Sequence, residues 1–385
     1  MVKELPYFAG KEIPQKYLGE YFFNREKELK ELKWKLERTP PLNFALYGQR
    51  RVGKTSLIEK LKQELEKKNL PIFIKCEELL PLDELTFLEN LTLRLLEEYS
   101  KLSPLLGVKK TMQDLVITTK IGLEMADLAF WLRFGEKKIT LKEALDKSFD
   151  LINKISLKSK KKVIIFLDEF QELFAFGDKF LWALRAKIAS SQASFVVSSS
   201  WHRFKEELTH EKRPFFNFFE TYEIKAVPKE EARDFLLRRA RKFNLCFDEA
   251  VLDKILEVSE CKPFYLQLLA LKCYILSLPR KKVTLRIFEA ALKETIASIP
   301  AHLVTGFERL RGRNKEVFLV LCLFDFKKPA EIASKIGLDA KNVIVILARL
   351  IKEHDLVKKE RNNYFTADKF LKEYVKLQYI DNSGN

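Results

Sequence analysis

The sequence predicts an α/β fold: a parallel β-sheet core with helices on both faces, then a helical domain, then a small C-terminal domain of helices with a two-stranded wing. Two observations predict it. Short apolar runs of strand length alternate with amphipathic helical patterns up to residue 228, where the strand signals stop. A glycine-containing loop joins the first apolar run to the helical pattern behind it. Such alternation is typical of a parallel sheet covered on both faces.

The first domain is predicted over residues 1–228. Three patterns in it have helical spacing: residues 20–38, 55–68 and 178–190. Five apolar runs are predicted as strands: residues 42–47, 71–75, 163–167, 195–197 and 222–225. The stretch 80–160 is predicted to be mostly helical, except that residues 114–135 fit a hairpin as well as a helix.

Two further domains are predicted over residues 229–305 and 306–385. Four helical patterns make up the first of them: residues 229–244, 248–259, 263–278 and 284–298. The last domain has three helical patterns followed by a hairpin: residues 315–325, 329–336, 340–353 and 356–365. Its second and third helices have the proportions of a helix-turn-helix.

The charge, the cysteine and histidine spacing and the apolar stretches limit the partners and the compartment that the sequence predicts. The net charge of +16 is spread along the chain, with +7 in residues 1–228, +4 in residues 229–300 and +5 in residues 301–385, so it does not locate a polyanion site. The five cysteines form no CxxC pair and the four histidines lack metal-ligand spacing, which predicts free thiols in a reducing compartment. With no apolar stretch of membrane-spanning length and no recognisable signal peptide, we expect a cytoplasmic protein that has no membrane partner.

Residues 48–55, Gly-Gln-Arg-Arg-Val-Gly-Lys-Thr, match the P-loop pattern GxxxxGK[ST]. The glycines let the backbone curl so that its N–H groups point at nucleotide phosphates, and the helix that starts here adds the positive end of its dipole. We expect ATP or ADP as the ligand, with Lys54 reaching the β- and γ-phosphates and Thr55 ligating Mg²⁺. The predicted nucleotide-binding residues of this loop are Gly48, Gln49, Arg50, Arg51, Val52, Gly53, Lys54, Thr55 and Ser56.

Two acids follow the apolar run 163–167 directly. Because side chains alternate at the end of a strand, Asp168 and Glu169 are predicted to point in different directions. We expect Asp168 to hold Mg²⁺ together with Thr55, and Glu169 to polarise the water that attacks the γ-phosphate.

Serines close the next predicted strand, and Ser199 and Ser200 are candidates to touch the γ-phosphate or to orient the water. The alternative is a serine-rich turn with no catalytic part. The predicted catalytic residues are Lys54, Glu169, Ser199 and Ser200.

The order of these motifs resembles the AAA+ superfamily, and in particular the archaeal ATPase family of its signal-transduction branch, STAND. Residues 24–29, Asn-Arg-Glu-Lys-Glu-Leu, resemble the family's GRExEL element beside the adenine pocket. Residues 168–173, Asp-Glu-Phe-Gln-Glu-Leu, are similar to its DEFQ variant of the second Walker motif. Residues 261–266, Cys-Lys-Pro-Phe-Tyr-Leu, resemble the GxPxYL element of the helical lid.

The resemblance implies a P-loop AAA+-type parallel sheet core with a helical lid and a C-terminal winged-helix domain. It also implies adenine contacts by Arg25 and Pro263, although Asn24 and Cys261 stand where the family has glycine. No arginine is assigned as a trans-acting finger, as expected for STAND proteins. Four arginines of a predicted lid helix fit a solvated face better than a nucleotide sensor: Arg233, Arg238, Arg239 and Arg241.

The C-terminal domain leaves two roles open. Its candidate reading helix carries few polar side chains around an apolar centre, which gives little support to base readout. The wing is more basic, so Lys358, Lys359 and Arg361 are candidates for phosphate contacts with duplex DNA. The alternative is packing or the docking of a protein.

These features predict a slow ATPase that converts ATP to ADP and phosphate and acts as a nucleotide-controlled switch on an unidentified protein partner. Movement of the lid and the winged helix would carry the signal. The alternative is a DNA-dependent ATPase whose winged helix binds duplex DNA, with salt-sensitive affinity and faster turnover on DNA.

Overall fold

The computed structural model of the chain divides into two compact units. The core unit comprises Pro14–Lys225, and the second unit comprises Met1–Ile13 and Ala226–Asn385. The structure describes residues 4–8, 13–79, 81–102, 140–159, 161–200, 204, 207–297, 301–354 and 356–380. The predicted alternative of helix or hairpin at residues 114–135 therefore lies outside the described residues.

The core unit is built on a five-stranded parallel sheet in the order β2-β3-β4-β1-β5. Its strands are β1 Phe44–Gly48, β2 Leu70–Lys75, β3 Val163–Asp168, β4 Ser194–Ser200 and β5 Glu220–Glu223. The predicted α/β class with a parallel sheet is confirmed. The strand β4 extends beyond its predicted end at residue 197 and includes Ser198, Ser199 and Ser200.

Within the described residues of this unit there are five longer helices: α1 Glu26–Leu36, α2 Lys54–Leu65, α3 Glu84–Ser100, α4 Leu141–Lys158 and α5 Asp178–Ser190. Four short helical segments accompany them: Gln15–Tyr17, Leu18–Tyr21, Cys76–Glu78 and Phe170–Phe176. Side chains define two of the starts, since Asp83 accepts the N–H of Thr86 ahead of α3, and Thr140 and Glu143 form a capping box at α4.

Apolar side chains cover the sheet on both faces, which is why its strands read as near-continuous hydrophobic runs. Along β1 the side chains alternate: Phe44 and Leu46 pack with α1 and α2, whereas Ala45 packs on the opposite face with α3, α4 and α5. The carboxyl ends of β1, β3 and β4 meet at one edge of the sheet, and the predicted functional residues of the core unit lie there.

The second unit begins with helices and two very short strands: α6 Lys229–Lys242, β6 Cys246–Phe247, α7 Glu249–Ser259, α8 Pro263–Ser277, β7 Lys282–Val283 and α9 Leu285–Ala297. Its C-terminal part consists of α10 Ala301–Glu308, α11 Gly312–Leu323, α12 Pro329–Ile336, α13 Ala340–Lys352, β8 Val357–Glu360, β9 Asn363–Thr366 and α14 Lys369–Ile380. The strands β8 and β9 pair antiparallel, and a separate apolar core lies under them.

The N-terminal peptide groups with the second unit, whereas the sequence-based boundaries place it with the P-loop domain. The hydroxyl of Tyr7 donates to the carbonyl of Leu236, at 2.8 Å, and Arg239 donates to the carbonyls of Leu5 and Pro6, at 2.9 and 2.6 Å. Arg239 is only 8% exposed. The expectation of a solvated face is therefore wrong for this arginine, which secures residues 4–8 on α6.

Among the helices of the described ranges, none combines the length and the apolar character needed to cross a membrane.

Candidate nucleotide-binding and hydrolysis site

The P-loop runs from the end of β1 into the first turn of α2. At Gly48 an added Cβ would lie 2.1 Å from the backbone oxygen of Ile224, so only glycine fits. Further along, Arg51 has a φ of 70° and Gly53 a φ of 93°, both in the left-handed region. These conformations curl the loop back over the start of α2, as the GxxxxGK[ST] pattern predicts.

The ammonium group of Lys54 lies across the inside of this loop. Its Nζ donates to the carbonyl oxygens of Gly48, at 3.1 Å, and of Gln49, at 3.0 Å. Lys54 is only 6% exposed, so its charge is directed into the loop rather than into solvent. A buried lysine held by weak neutral acceptors at a helix N-terminus is suited to meet phosphate oxygens there.

Asp168 at the end of β3 joins the P-loop to the neighbouring strand. Its Oδ2 accepts the hydroxyl of Thr55 at 2.6 Å, and its Oδ1 accepts the hydroxyl of Ser198 on β4. Burial raises the pKa of the Asp168 carboxyl above its ordinary value, and the two donated hydrogen bonds oppose that shift. Both carboxylate oxygens are thus oriented by hydroxyl groups from the two flanking elements.

The donor set fits a magnesium nucleotide. Magnesium prefers oxygen ligands, and typically takes one or two carboxylates or hydroxyls while substrate phosphates and water supply the rest. Thr55 and Asp168 present such oxygens next to the phosphate-binding loop. Among the described residues no group of three or more His, Cys, Asp or Glu side chains comes together, as an all-protein metal cage would require.

Glu169 follows Asp168 with a φ of 53° and a ψ of 45°, in the left-handed region that non-glycine residues rarely adopt. The amide nitrogen of Gln171 donates to its Oε2 and lies 3.4 Å from Oε1 of Glu172. In turn, the hydroxyl of Ser199 donates to Oε1 of Gln171 at 2.6 Å. The second acid therefore ends a chain of hydrogen bonds that starts on β4.

Arg25 stabilises the P-loop through hydrogen bonds from its guanidinium group to backbone carbonyls. Its NH2 group donates to the carbonyl of Val52 at 3.1 Å and to the carbonyl of Lys225, and NH1 pairs with Glu28 at 3.1 Å. The guanidinium is buried, with 5% of the residue exposed. Arg25 thus lies beside the P-loop within the core unit, and its predicted adenine contact stays a prediction.

Asn24 and Cys261, which stand where the family has glycine, share a backbone feature. Asn24 has a φ of 52° and Cys261 a φ of 53°, so both occupy the left-handed region that glycine adopts most readily. Asparagine tolerates this region better than most residues, and cysteine does so less easily. At both positions the backbone therefore has a conformation that a glycine adopts without strain.

The remaining predicted residues fall into three groups. Gln49 and Arg50 are exposed on the loop, and Val52 is buried beneath it. Ser56 lies in the first turn of α2, and Ser200 is buried opposite Gly48 in the β1–β4 register. Pro263 is the first residue of α8, in the second unit.

Ser198 and Gln171 were not among the predicted site residues, yet they hold the two acids. Strand periodicity carries the signal for Ser198: Leu167 pairs with Val197, so the next pair in register, Asp168 and Ser198, shares a face. Gln171 belongs to the DEFQ element, but its bond to Glu169 depends on the left-handed turn at Glu169, which the sequence pattern does not reveal.

Comparisons with known proteins place this site in a family. Two solved structures share the fold over nearly the whole chain. The Walker-type ATPase PABY2304 of Pyrococcus abyssi is 20% identical with a TM-score of 0.68, over 92% of this chain and 96% of that one. The ORC2 protein of Aeropyrum pernix, solved as ADPNP–ADP complexes, is 13% identical with a TM-score of 0.57, over 98% and 97%. A search of curated proteins found no match.

A family model described as an ATPase domain predominantly from Archaea matches residues 22–269, which include the P-loop, both Walker acids and Pro263. Since this match covers well over half of the chain, the protein belongs to that archaeal ATPase family and is an ATP-hydrolysing enzyme.

Proposed function

We propose that this protein is a slow ATPase of the STAND branch that acts as a nucleotide-controlled switch. The observation that carries the proposal is the state of the two adjacent acids: Asp168 is fixed by Thr55 and Ser198, while Glu169 is held by Gln171. The first arrangement supports binding of a magnesium nucleotide. The second supports slow turnover, because a carboxylate that accepts an amide hydrogen bond is less available to a water molecule.

In this proposal the P-loop amides and Lys54 hold the phosphates, and Thr55 and Asp168 would hold Mg²⁺, which would neutralise phosphate charge when bound. Glu169 orients the attacking water and accepts its proton as the water oxygen bonds to the γ-phosphorus. The bond from that phosphorus to the bridging oxygen breaks, and ADP and phosphate leave. Ser199 and Ser200 are the candidates to contact the γ-phosphate.

Contacts inside the second unit support the switch part of the proposal. The ring of Tyr265 on α8 stacks on Phe370 of α14, with centroids 4.5 Å apart, and its hydroxyl donates to Asp368. Glu260, just after α7, accepts from the backbone N–H of Lys369 at 3.2 Å. The helical part that carries Pro263 and the C-terminal part, which we propose to be a winged helix, would therefore move together.

The partner that this switch controls is proposed to be a protein. On α13, the helix that would read bases in a winged helix, Ile344 is 45% exposed and Val345 is 59% exposed. Apolar side chains at the centre of the exposed face suit a protein surface better than the polar edges of base pairs.

The test is steady-state phosphate release by the purified protein, with Glu169→Gln as the matched variant that removes only the negative charge of the second acid. Slow turnover that Glu169→Gln abolishes supports the proposed catalytic part. Limited proteolysis with ADP and with a non-hydrolysable ATP analogue then tests the switch. Cleavage patterns that are the same with both nucleotides would contradict it.

A second candidate function, a DNA-dependent ATPase, is favoured by one observation. Lys359 and Arg361 are exposed at the tip of the β8–β9 hairpin. Lys358, in contrast, lies 3.4 Å from Glu260 and is therefore engaged within the second unit. If duplex DNA added at low salt raises turnover severalfold, and Lys359→Ala with Arg361→Ala removes that stimulation, this second function replaces the first.

A further inference from the structure

The ends of β3 and β4 place two polar pairs side by side. Asp168 and Ser198 directly follow Leu167 and Val197, which are paired in the β3–β4 register, and a hydrogen bond joins their side chains. Of the next two residues, Ser199 continues β4, whereas Glu169 lies just beyond β3 in a left-handed conformation. They do not bond to each other; Gln171 bridges them, and it is 4% exposed.

The chemistry of the three groups fixes the direction of each hydrogen bond. An ionised carboxylate only accepts, so the group of Gln171 that faces Glu169 is its amide nitrogen. The amide oxygen of Gln171 therefore faces Ser199 and must receive the single hydroxyl proton of that serine, at 2.6 Å. Reversing the amide would set oxygen against oxygen at Glu169.

Ser199 has one hydroxyl proton, and in this structure the Gln171 amide oxygen is its nearer acceptor at 2.6 Å, with the carbonyl of Ser200 at 3.3 Å. Ser199 can donate to Gln171, as in this structure, or to a phosphate oxygen at the carboxyl end of β4, but it cannot do both. Donation to phosphate would leave the amide oxygen of Gln171, a buried group, without its donor. A buried acceptor without a donor is costly, so Gln171 would turn and its bond to Glu169 would be lost.

We propose that Ser199, Gln171 and Glu169 form a clamp that holds the catalytic acid while no γ-phosphate is bound and releases it when Ser199 donates to that phosphate. In this clamp Gln171 is a positioning residue, which acts only through Glu169. The proposal rests on the proposed function, since it assumes that Glu169 orients the attacking water. It adds the prediction that ATP binding must break the two hydrogen bonds of Gln171, to Ser199 and to Glu169, that ADP binding leaves in place.

The test compares affinities for ADP and for a non-hydrolysable ATP analogue by calorimetry, in wild type, Gln171→Met, Ser199→Ala and the double variant. Methionine fills nearly the same volume as glutamine but cannot bond to either partner. Without these bonds to break, Gln171→Met is expected to favour the ATP analogue over ADP more than wild type does, by roughly 3- to 10-fold for each hydrogen bond. Adding Ser199→Ala should abolish that gain, because the serine proton is then missing.

Turnover is the second readout. Gln171→Met frees Glu169 and is expected to raise kcat severalfold over wild type. The matched control is Gln192→Met, the same substitution at an exposed position between α5 and β4, so its nucleotide preference and kcat should match wild type. If Gln171→Met does not fold, Gln171→Leu takes its place.

The outcomes separate the clamp from the proposed function. The clamp is overturned if Gln171→Met lowers kcat, or if its preference for the ATP analogue persists in the double variant. The proposed function fails instead if wild type does not hydrolyse ATP or if Glu169→Gln hydrolyses it at the wild-type rate. In that case the affinity ratios still decide whether Ser199 and Gln171 are coupled.

Discussion

Thr55 and Asp168 are joined by a hydrogen bond of 2.6 Å that connects the first turn of α2 to the end of β3. These two side chains supply the oxygens predicted to hold Mg²⁺, and the bond keeps them within reach of one ion. Ser198 fixes the other oxygen of the same carboxylate. Orientation of Asp168 therefore depends on a residue that is not itself expected to touch the metal.

This dependence predicts the effect of Ser198→Ala. Residues that orient a metal ligand typically contribute 10- to 100-fold in metal affinity, so the Mg²⁺ concentration for half-maximal ATPase activity is expected to rise about 10-fold. The matched control is Ser194→Ala on the same strand, where the serine hydroxyl accepts the N–H of Leu42 far from the site. An equal rise in both variants would show that strand β4 is merely destabilised.

Gly48→Ala is expected to disrupt the P-loop. The new methyl group would meet the backbone oxygen of Ile224 at 2.1 Å, which cannot yield as a flexible side chain can. A steric conflict of this kind costs about 1–3 kcal/mol or more, and it would displace the loop from its phosphate-binding geometry. ADP binding measured by calorimetry should be lost or strongly weakened.

The control for this substitution is Gly19→Ala, at a helical glycine where an added Cβ has no heavy atom within 4 Å. This variant is expected to bind ADP as wild type does, since alanine is at least as favourable as glycine in a helix. Wild-type affinity in Gly48→Ala would refute the steric assignment.

Arg25→Ala tests whether this arginine supports the loop. Its removal leaves the buried carbonyl of Val52 without the guanidinium donor, and an unsatisfied buried acceptor costs about 1–3 kcal/mol. We expect the free energy of unfolding of the core unit to fall by about 1–3 kcal/mol, measured by denaturant titration without nucleotide. Arg94→Ala removes an exposed arginine paired with Glu97 and should have little effect. Unchanged stability in Arg25→Ala would favour a purely nucleotide-binding role.

The sequence was sufficient to predict the sheet, the loop and both acids, because each depends on a local pattern. A strand, a glycine turn and a helix follow one another within residues 44–65, so β1, the P-loop and α2 could be placed from spacing alone. The end of β4 was harder: its serines are typical of a turn, yet Ser198 and Ser199 are buried in the strand because their hydroxyls have partners on β3 and just beyond it.

Long-range contacts explain what the sequence could not predict. Arg239 lies on α6, a highly charged helix whose sequence suggests exposure to solvent. It is buried because residues 4–8 pack against that helix. Gln171 is one residue in a run of acids and aromatics, and its bond to Glu169 depends on a single left-handed residue. Neither relationship leaves a periodic signal in the chain.

Thiol reactivity gives a prediction that depends on burial. Cys246 is exposed, whereas the other four thiols are buried: Cys76, Cys261, Cys273 and Cys322. Burial raises the pKa of Cys273 to about 12, so at pH 8 almost none of it is thiolate, the form that reacts. A disulfide reagent should therefore label one thiol in the native protein and all five after unfolding, and Cys246→Ser should remove the native label.

The same burial predicts how stability varies with pH. For Cys273 the folded-state pKa lies above the ordinary thiol value of about 8.5, so between these values the native state binds more protons than the unfolded state. Stability is expected to fall as pH rises above about 8.5, and Cys273→Ala should show a smaller fall than wild type. An identical pH dependence in the two proteins would contradict the assignment.

Glu260 is expected to stabilise the second unit as the link between its helical and C-terminal parts. Its Oε2 accepts from the ammonium of Lys262 at 2.8 Å and from the backbone N–H of Lys369 at 3.2 Å, while Oε1 lies 3.4 Å from Lys358. The Lys262 side chain is only 3% exposed, so its charge depends on the ion pair with Glu260. Glu260→Gln should lower the free energy of unfolding of this unit by about 2–3 kcal/mol, less than for a fully buried pair.

The measurement uses different probes for the two units, because all four tryptophans precede residue 226 and so belong to the core unit. Circular dichroism follows the helices of both units, so Glu260→Gln is expected to shift the midpoint of the ellipticity change and leave the tryptophan transition in place. Glu249→Gln, which removes an exposed partner of Arg233, is the matched control and should shift neither. A wild-type ellipticity profile in Glu260→Gln would mean that Tyr265 and its stacking on Phe370 are sufficient to hold the two parts together.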